Sequence, residues 1–303
     1  MSLGKTSNGA PRRHHFVPQG HLRRFCIESG VSRNHIWVYD KKHEQPVVPS
    51  KPRAIKSIGA LEGYYDVPGE NGENDVSLET EYLQKIDDYM PKVVRKIENM
   101  TNIQLSEEEK ANFSFCISLL LARNPSVRDD VESMFKWAAE RTAKIVKTLS
   151  PMGFTLEEHL RKGDLKVEVK KFVSIPAMFQ FATAIAENIF CMPWVFHSSQ
   201  DVHFLTGDNP VVISSTDIYV GPAHPSCEFI FPMTRQLCLV CSNSNTYPDD
   251  MTLINADPSY VKKINLAVAW AAKSQIYCDT QSKEIAELVH RFRKQRQGIQ
   301  LLS

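Results

Sequence analysis

The chain lacks every motif that would assign it an activity at sight. It has no Walker loop, no G-x-G-x-x-G, no G-x-S-x-G elbow and no H-E-x-x-H. That excludes the commonest nucleotide-binding, serine-hydrolase and zincin arrangements. It also lacks net charge: 36 Lys and Arg stand against 35 Asp and Glu, leaving +1. Bulk charge therefore does not draw it to a polyanion, and any such site must be a local patch. Long apolar runs are missing too. The longest, Phe113 to Ala122, is short and broken by polar residues, whereas a bilayer needs about 20 apolar residues. Residues 1–11 are polar and carry no leader-like apolar stretch. They read as a loose tail, and the protein as soluble, without a membrane partner.

Cysteine is neither abundant nor patterned. The seven residues (Cys26, Cys116, Cys191, Cys227, Cys238, Cys241 and Cys278) are odd in number and scattered. A disulfide framework is not expected, and reduced thiols point to a cytoplasmic location. Cys116 and Cys191 lie in apolar helical stretches and are expected in the core. Cys238 and Cys241 form a C-x-x-C, but Leu237–Cys241 reads as a strand. Residues three apart on a strand face opposite sides, and no second pair completes a zinc site.

What is present begins with hydrophobic and charged fractions of 42% and 23%, those of a globular protein. The length of 303 residues allows one large core or two domains. Pro18 suits the opening of a short helix through Phe25. Ile36–Asp40 alternates as a strand, and Lys41–Pro52 is proline-rich and irregular. A helical middle follows, over about 77–190. Ser77 caps its first helix, with Glu79 and Glu81 in the opening turns and Pro91 as a kink. Ser106 with Glu107, Glu108 and Glu109 makes a capping box, and that helix ends near Arg123 because Pro125 follows Asn124. Another helix runs from Pro125 to about Leu149, then a hinge over 150–165, then a helix from about Val167 to Phe190, interrupted near Pro176.

After Cys191 the period becomes alternating. Strands are expected at Trp194–Phe196, His203–Thr206, Val211–Ile213, Phe229–Phe231, Leu237–Cys241 and Gln275–Cys278. A helix starts at Asp257-Pro258, and Ser282 caps a last one. The expected fold is α+β, one domain over 12–303. Its helical middle packs on a mostly antiparallel sheet formed chiefly by residues 191–280, with the strand at Ile36 as a further candidate member.

The most informative segment is Arg12-Arg13-His14-His15-Phe16-Val17-Pro18-Gln19-Gly20-His21-Leu22-Arg23-Arg24-Phe25. It holds three histidines and four arginines without one acid. Imidazoles move protons or bind metals near neutral pH, and arginines grip phosphate or carboxylate. Three uses of His14-His15 follow: proton transfer or metal ligation, a phosphate pocket, or backbone hydrogen bonding at a strand end. In an extended segment the two rings point to opposite faces. The order His15, Asn34, His43 also raises an HNH-type ββα-metal unit, but Asn34 leads into a strand and His43 falls in a loop before Pro46.

Two further signals are Arg123, at a helix end after an apolar run, and Phe204-Leu205-Thr206-Gly207-Asp208-Asn209-Pro210-Val211. Turn chemistry accounts for much of the latter, although Asp208 at a strand end suits contact with a histidine or metal. Glu79 and Asp87 are eight apart on one helix and share a face; acids at a helix start serve the dipole. Arg291, Arg293, Lys294 and Arg296 read as a solvated face.

Taken together, these residues resemble an uncharacterised, mainly microbial family, domain of unknown function 4238. His14-His15-Phe16-Val17-Pro18-Gln19, Leu22 and Phe25 match its opening motif, and Ile36–Asp40 its next strand. Leu78-Glu79 with Ile86-Asp87, Leu121–Pro125, Thr206–Val211, Phe231-Pro232-Met233 and Asn265 match later ones. Glutamate is usual where Asp87 stands, and serine where Gly207 stands. The resemblance covers about residues 13–278 and implies one domain unit but no activity. It carries over His14, His15, Gln19, Glu79, Arg123, Asp208 and Asn209.

The expected function is that of a hydrolase-like enzyme on a phosphate-containing substrate, with nucleic acid among the candidates. His14 or His15 is the base or metal ligand, Asp208 and Glu79 hold a metal or orient the histidine, and Arg123 stabilises developing charge. Arg13, Gln19, Arg23 and Asn209 are the expected ligand contacts. This donor set admits a divalent metal without requiring one. The alternative is a non-catalytic protein that binds an anion or a partner, with the His-His segment as a structural staple.

Overall fold

The computed structural model describes residues 13–28, 33–68, 74–75, 78–149, 171–215, 224–243 and 250–294. The N-terminal tail, Ser77, the expected hinge and Val167–Lys170 lie outside the described residues. The elements are β1 (Arg13–His15), α1 (Gln19–Leu22), β2 (His35–Asp40), β3 (Arg53–Ala54), β4 (Ala60–Glu62), β5 (Val67–Pro68) and β6 (Asn74–Asp75), then α2 (Gln84–Glu98), α3 (Glu107–Ala122), α4 (Pro125–Leu149) and α5 (Ser174–Cys191). The C-terminal part adds β7 (Trp194–Ser198), β8 (Thr206–Gly207), β9 (Val212–Ser215), β10 (Cys227–Thr234), β11 (Leu237–Ser242), β12 (Thr252–Asn255), α6 (Pro258–Ala271), β13 (Gln275–Cys278) and α7 (Lys283–Arg291). The fold is α+β.

Two principal sheets form. The larger has the order β12-β7-β11-β10-β9 and is antiparallel except for the parallel pair β12–β7. The smaller, β3-β2-β13-β8, joins the early strand to the end of the chain. Alternation along β11 explains the layering. Leu237, Leu239 and Cys241 belong to a core shared with Val93 and Ile97 of α2, Phe113 and Leu120 of α3, and Ile189 of α5. Cys238 and Val240 face the other way, onto Val261, Ile264 and Val268 of α6 and onto Ile276 of β13. The C-x-x-C thus straddles the sheet, as its spacing dictates, and all seven cysteines are free. Cys191 departs from expectation: it is exposed at the last position of α5.

Local chemistry sets the helix ends. The Ser106 side chain accepts from the Glu109 backbone N–H at 3.1 Å, and Glu109 accepts from the Ser106 N–H at 2.9 Å. Such a cap is worth about 1 kcal/mol. Pro91 lies within α2, preceded by a π-helical segment over Leu78–Leu83. Pro176 does not interrupt its helix. It falls in the first turn of α5, where the amide hydrogen it lacks has no intrahelical partner. The expected strand at His203–Thr206 pairs only from Thr206 onward. Among the described residues no helix is long and apolar enough to cross a membrane.

Candidate functional site

The N-terminal segment is fixed first by backbone. Strand β1 pairs antiparallel with β4, placing His14 opposite Leu61 and His15 opposite Ala60. The amides of Phe16 and Val17 then both donate to the Gly59 carbonyl, at 2.9 and 3.0 Å. Gly59 holds φ +61°, and a Cβ there would lie 2.9 Å from Val17 Cβ, so only glycine fits. Farther along, Gly20 abuts α2: a Cβ on it would come within 2.7 Å of Pro91 Cγ.

The extended backbone sends the two histidines to different surroundings. His14 is 1% exposed. Its Nδ1 accepts the Tyr65 backbone N–H at 2.9 Å, and its Nε2 lies 3.7 Å from Asp66 Oδ1. The ring stacks on Tyr65 with 5.7 Å between centroids. An acceptor Nδ1 puts the proton of the neutral ring on Nε2, facing the aspartate. His15 is half-buried. Its ring bonds the Ile55 backbone, and its buried Nε2 has no hydrogen-bond partner among the described residues. Burial lowers its pKa, and the charges of Arg13 and Arg123 lower it further. The ring is thus held neutral, with a bare Nε2. His21 goes deeper. Its Nε2 meets Thr206 Oγ1 at 3.0 Å and its ring stacks on Phe231. Burial, then Arg123 and Arg24, brings its pKa down to about 3.

Arg123 is the charge around which these groups gather. It is the C-cap of α3 and is 1% exposed. Its Nη2 meets Asp87 Oδ1 of α2 at 2.7 Å. The Tyr64 hydroxyl donates to its carbonyl at 2.9 Å. Next in sequence, Asn124 donates through Nδ2 to the Asp208 carbonyl at 2.6 Å and accepts the Ser126 amide at 2.9 Å. It therefore caps α4 ahead of Pro125 while tying that helix to the Thr206–Pro210 turn.

Asp208 is spent on backbone. Its Oδ1 accepts the Lys273 amide at 2.8 Å; its Oδ2 accepts the amides of Ser274 and Gln275 at 2.7 and 3.0 Å and the Ser274 hydroxyl at 2.6 Å. Burial pushes its pKa up while these bonds pull against it. Across the same turn Lys41 donates to the carbonyls of Ala272 and Trp270, capping the C-terminal end of α6. Burial lowers this ammonium to about 8, against the opposing pull of Asp208. Asp208 and Lys41 together clamp the link between α6 and β13.

The sequence-derived residues thus converge only in part. Phe16, Asn124 and Asp208 border one hollow of about 210 Å³, so the opening motif and the Asp208 turn do meet. The carboxylate of Asp208 nevertheless serves the turn, and no histidine–Asp208 hydrogen bond occurs among the described residues. Arg13 bonds the carbonyls of Ser57 and Ala60, both at 3.3 Å. Asn209 donates to the Ala271 carbonyl at 3.3 Å. Gln19 opens α1 and is half-buried. Glu79 stands in the π-helical segment, but its side chain lies outside the described residues. An HNH-type unit is not formed: β2 is followed by an irregular stretch carrying His43, not by a helix. Among the described residues no three His, Cys, Asp or Glu side chains gather as metal ligands.

Arg23 leads to a different place. With Arg24, Arg33 and Arg235 it lines a cavity of about 390 Å³ whose acids among the described residues are Glu28 and Glu98. Arg24 pairs with Glu98, and Arg235 with Glu28. Arg23 bonds Asn34 at 3.4 Å. Four guanidiniums thus line the cavity with two carboxylates, Arg235 having a second acidic neighbour outside the lining, Asp279 at 3.6 Å, while Arg23 and Arg33 pair with neither glutamate. Arg33 and Arg235 were not legible as members, since 202 residues of chain separate them.

The family pattern of a protein of unknown function, DUF4238, matches residues 13–282. The chain belongs to that family. No curated protein and no solved structure matches it. In this DUF4238 chain the geometry gives His14, Arg123, Asp208 and Asn209 each a hydrogen-bonding or ion-pair task within the fold.

Proposed function

We propose that this DUF4238 protein binds a phosphate-bearing anion in the arginine-lined cavity, while the His-His segment acts as the staple that fixes the cavity's wall. The observation that carries this reading is that four guanidiniums line one 390 Å³ space with only two carboxylates among its described lining residues. Guanidinium forks match phosphate oxygens, and a net charge of only +1 makes a local patch the way to attract an anion. The staple follows from His14, whose ring is consumed by the Tyr65 amide and Asp66. Titration with inorganic pyrophosphate tests it. The wild type binds with an affinity that falls as salt rises, and the Arg23→Ala/Arg33→Ala variant does not bind. Equal binding by both proteins rejects the site.

A second reading, hydrolysis of a phosphate ester, draws support from His15. A neutral ring whose Nε2 accepts no hydrogen bond among the described residues has a lone pair left to take a proton, once a substrate opens that buried atom to a reacting group. Turnover of bis(4-nitrophenyl) phosphate that disappears in His15→Gln, with the fold intact, supports it. Turnover that persists in that variant rejects it.

A further inference from the structure

The smaller sheet and the two C-terminal helices border a second cleft, of about 540 Å³, that shares no lining residue with the arginine-lined cavity. Its volume lies in the range of small-molecule sites. One wall is apolar, from Leu205, Leu266, Ile285 and Leu288, and the polar end is His203 with Asp279. His203 Nδ1 lies 2.7 Å from Asp279 Oδ2. The side chains are 30% and 10% exposed respectively.

The orientation of this imidazole is fixed from several sides. The carboxylate is also bonded by the Thr280 hydroxyl at 2.9 Å and approached by Arg235 Nη1 at 3.6 Å. The backbone at His203 is pinned by Asn265, which donates to the His203 carbonyl at 2.9 Å and accepts the Leu205 amide at 2.8 Å. In the neutral ring, with Nδ1–H given to the aspartate, Nε2 is an acceptor. No other side-chain partner of His203 occurs among the described residues. The thiol of Cys278 donates to the Thr280 carbonyl at 3.1 Å, and burial pushes its pKa up to about 12. It forms part of the floor and is not a nucleophile. The lining carries three carboxylates, Asp201, Asp279 and Glu284, and one ammonium, Lys262, which disfavours an anionic ligand.

We propose that this cleft is a second binding site, for a small apolar molecule that carries one O–H or N–H donor and no negative charge, with His203 Nε2 as the acceptor. It has no lining residue in common with the arginine-lined cavity, although Arg235 of that cavity approaches Asp279. The test uses 2-naphthol as the probe and 2-methoxynaphthalene, which has no donor, as its control. Wild type binds 2-naphthol saturably and more tightly than the control, and the ¹⁵N resonance of His203 Nε2 moves on its addition. His203→Ala weakens 2-naphthol about tenfold, as expected for one hydrogen bond, and leaves the control unchanged. Leu266→Asp, on the exposed side of α6, weakens both. Arg23→Ala/Arg33→Ala changes neither, which separates this site from the anion site. Equal affinity of wild type for the two probes, no saturable binding of 2-naphthol, or an unmoved Nε2 resonance overturns the proposal.

Discussion

Arg123 and Asp87 meet across the α3–α2 interface, guanidinium Nη2 to carboxylate Oδ1 at 2.7 Å, with the arginine almost wholly out of water. A buried pair of this kind is costly to break from one side, because the remaining charge has no solvent. Burial already pushes Asp87 above its usual range, with Arg123 pulling it back. Arg123→Met is expected to cost about 3–5 kcal/mol, and the double variant Arg123→Met/Asp87→Leu less than Arg123→Met alone. Urea unfolding of the single and double variants measures the coupling. Strictly additive losses contradict it.

Asp208 separates architecture from chemistry. Asparagine keeps the shape but replaces one oxygen with a donor, which then confronts a backbone N–H. Asp208→Asn is expected to lose about 2–3 kcal/mol, the cost of unsatisfied buried donors. A variant with wild-type urea midpoint would show that the carboxylate is not the clamp of Lys273, Ser274 and Gln275.

Acid sensitivity follows from two buried histidines. Burial depresses His197 to about 4, and burial with Arg123 and Arg24 depresses His21 to about 3. Both are near 6.5 when unfolded. Their folded pKa values lie below the unfolded one, so their contribution is complete above pH 6.5 and is lost as pH falls. The loss runs to about 4 for His197 and about 3 for His21. Each approaches about 1.4 kcal/mol per pH unit within its window. His21→Phe removes one of the two slopes between pH 6.5 and 4. Parallel stability–pH curves for wild type and variant count against this assignment.

Gly59 sets the position of the staple. Alanine there meets Val17 at 2.9 Å and must hold φ +61°, which costs about 1–2 kcal/mol for the backbone alone. Hydrogen exchange at the Phe16 and Val17 amides reports the effect directly: both are expected to exchange faster in Gly59→Ala. Unchanged protection contradicts the anchoring role.

Much of the fold is legible because local chemistry and packing agree. Ser106 with Glu109, Asn124 with Pro125, and the alternation of Leu237–Cys241 each name their element without help from distant residues. His203–Leu205 alternates equally well yet does not pair, because Asn265 takes the His203 carbonyl and the Leu205 amide. β12, a half-exposed edge strand of four residues, gave too little pattern to detect. In the site, the twin histidines and Arg123 stand out by residue type. Their roles do not, since Asp87 lies 36 residues from its arginine and Asp208 looks the same as a turn residue or as a catalytic acid. Lys41 reads as the start of a loop. Only the folded chain puts it at the end of α6.

The measurement that bears most directly on this account is calorimetric titration of pyrophosphate into three proteins: wild type, Arg23→Ala/Arg33→Ala and His15→Gln. Binding by wild type and His15→Gln, with loss in the arginine variant, is the predicted result. Binding that survives in the arginine variant but fails in a folded His15→Gln would move the anion to the histidine and contradict the account.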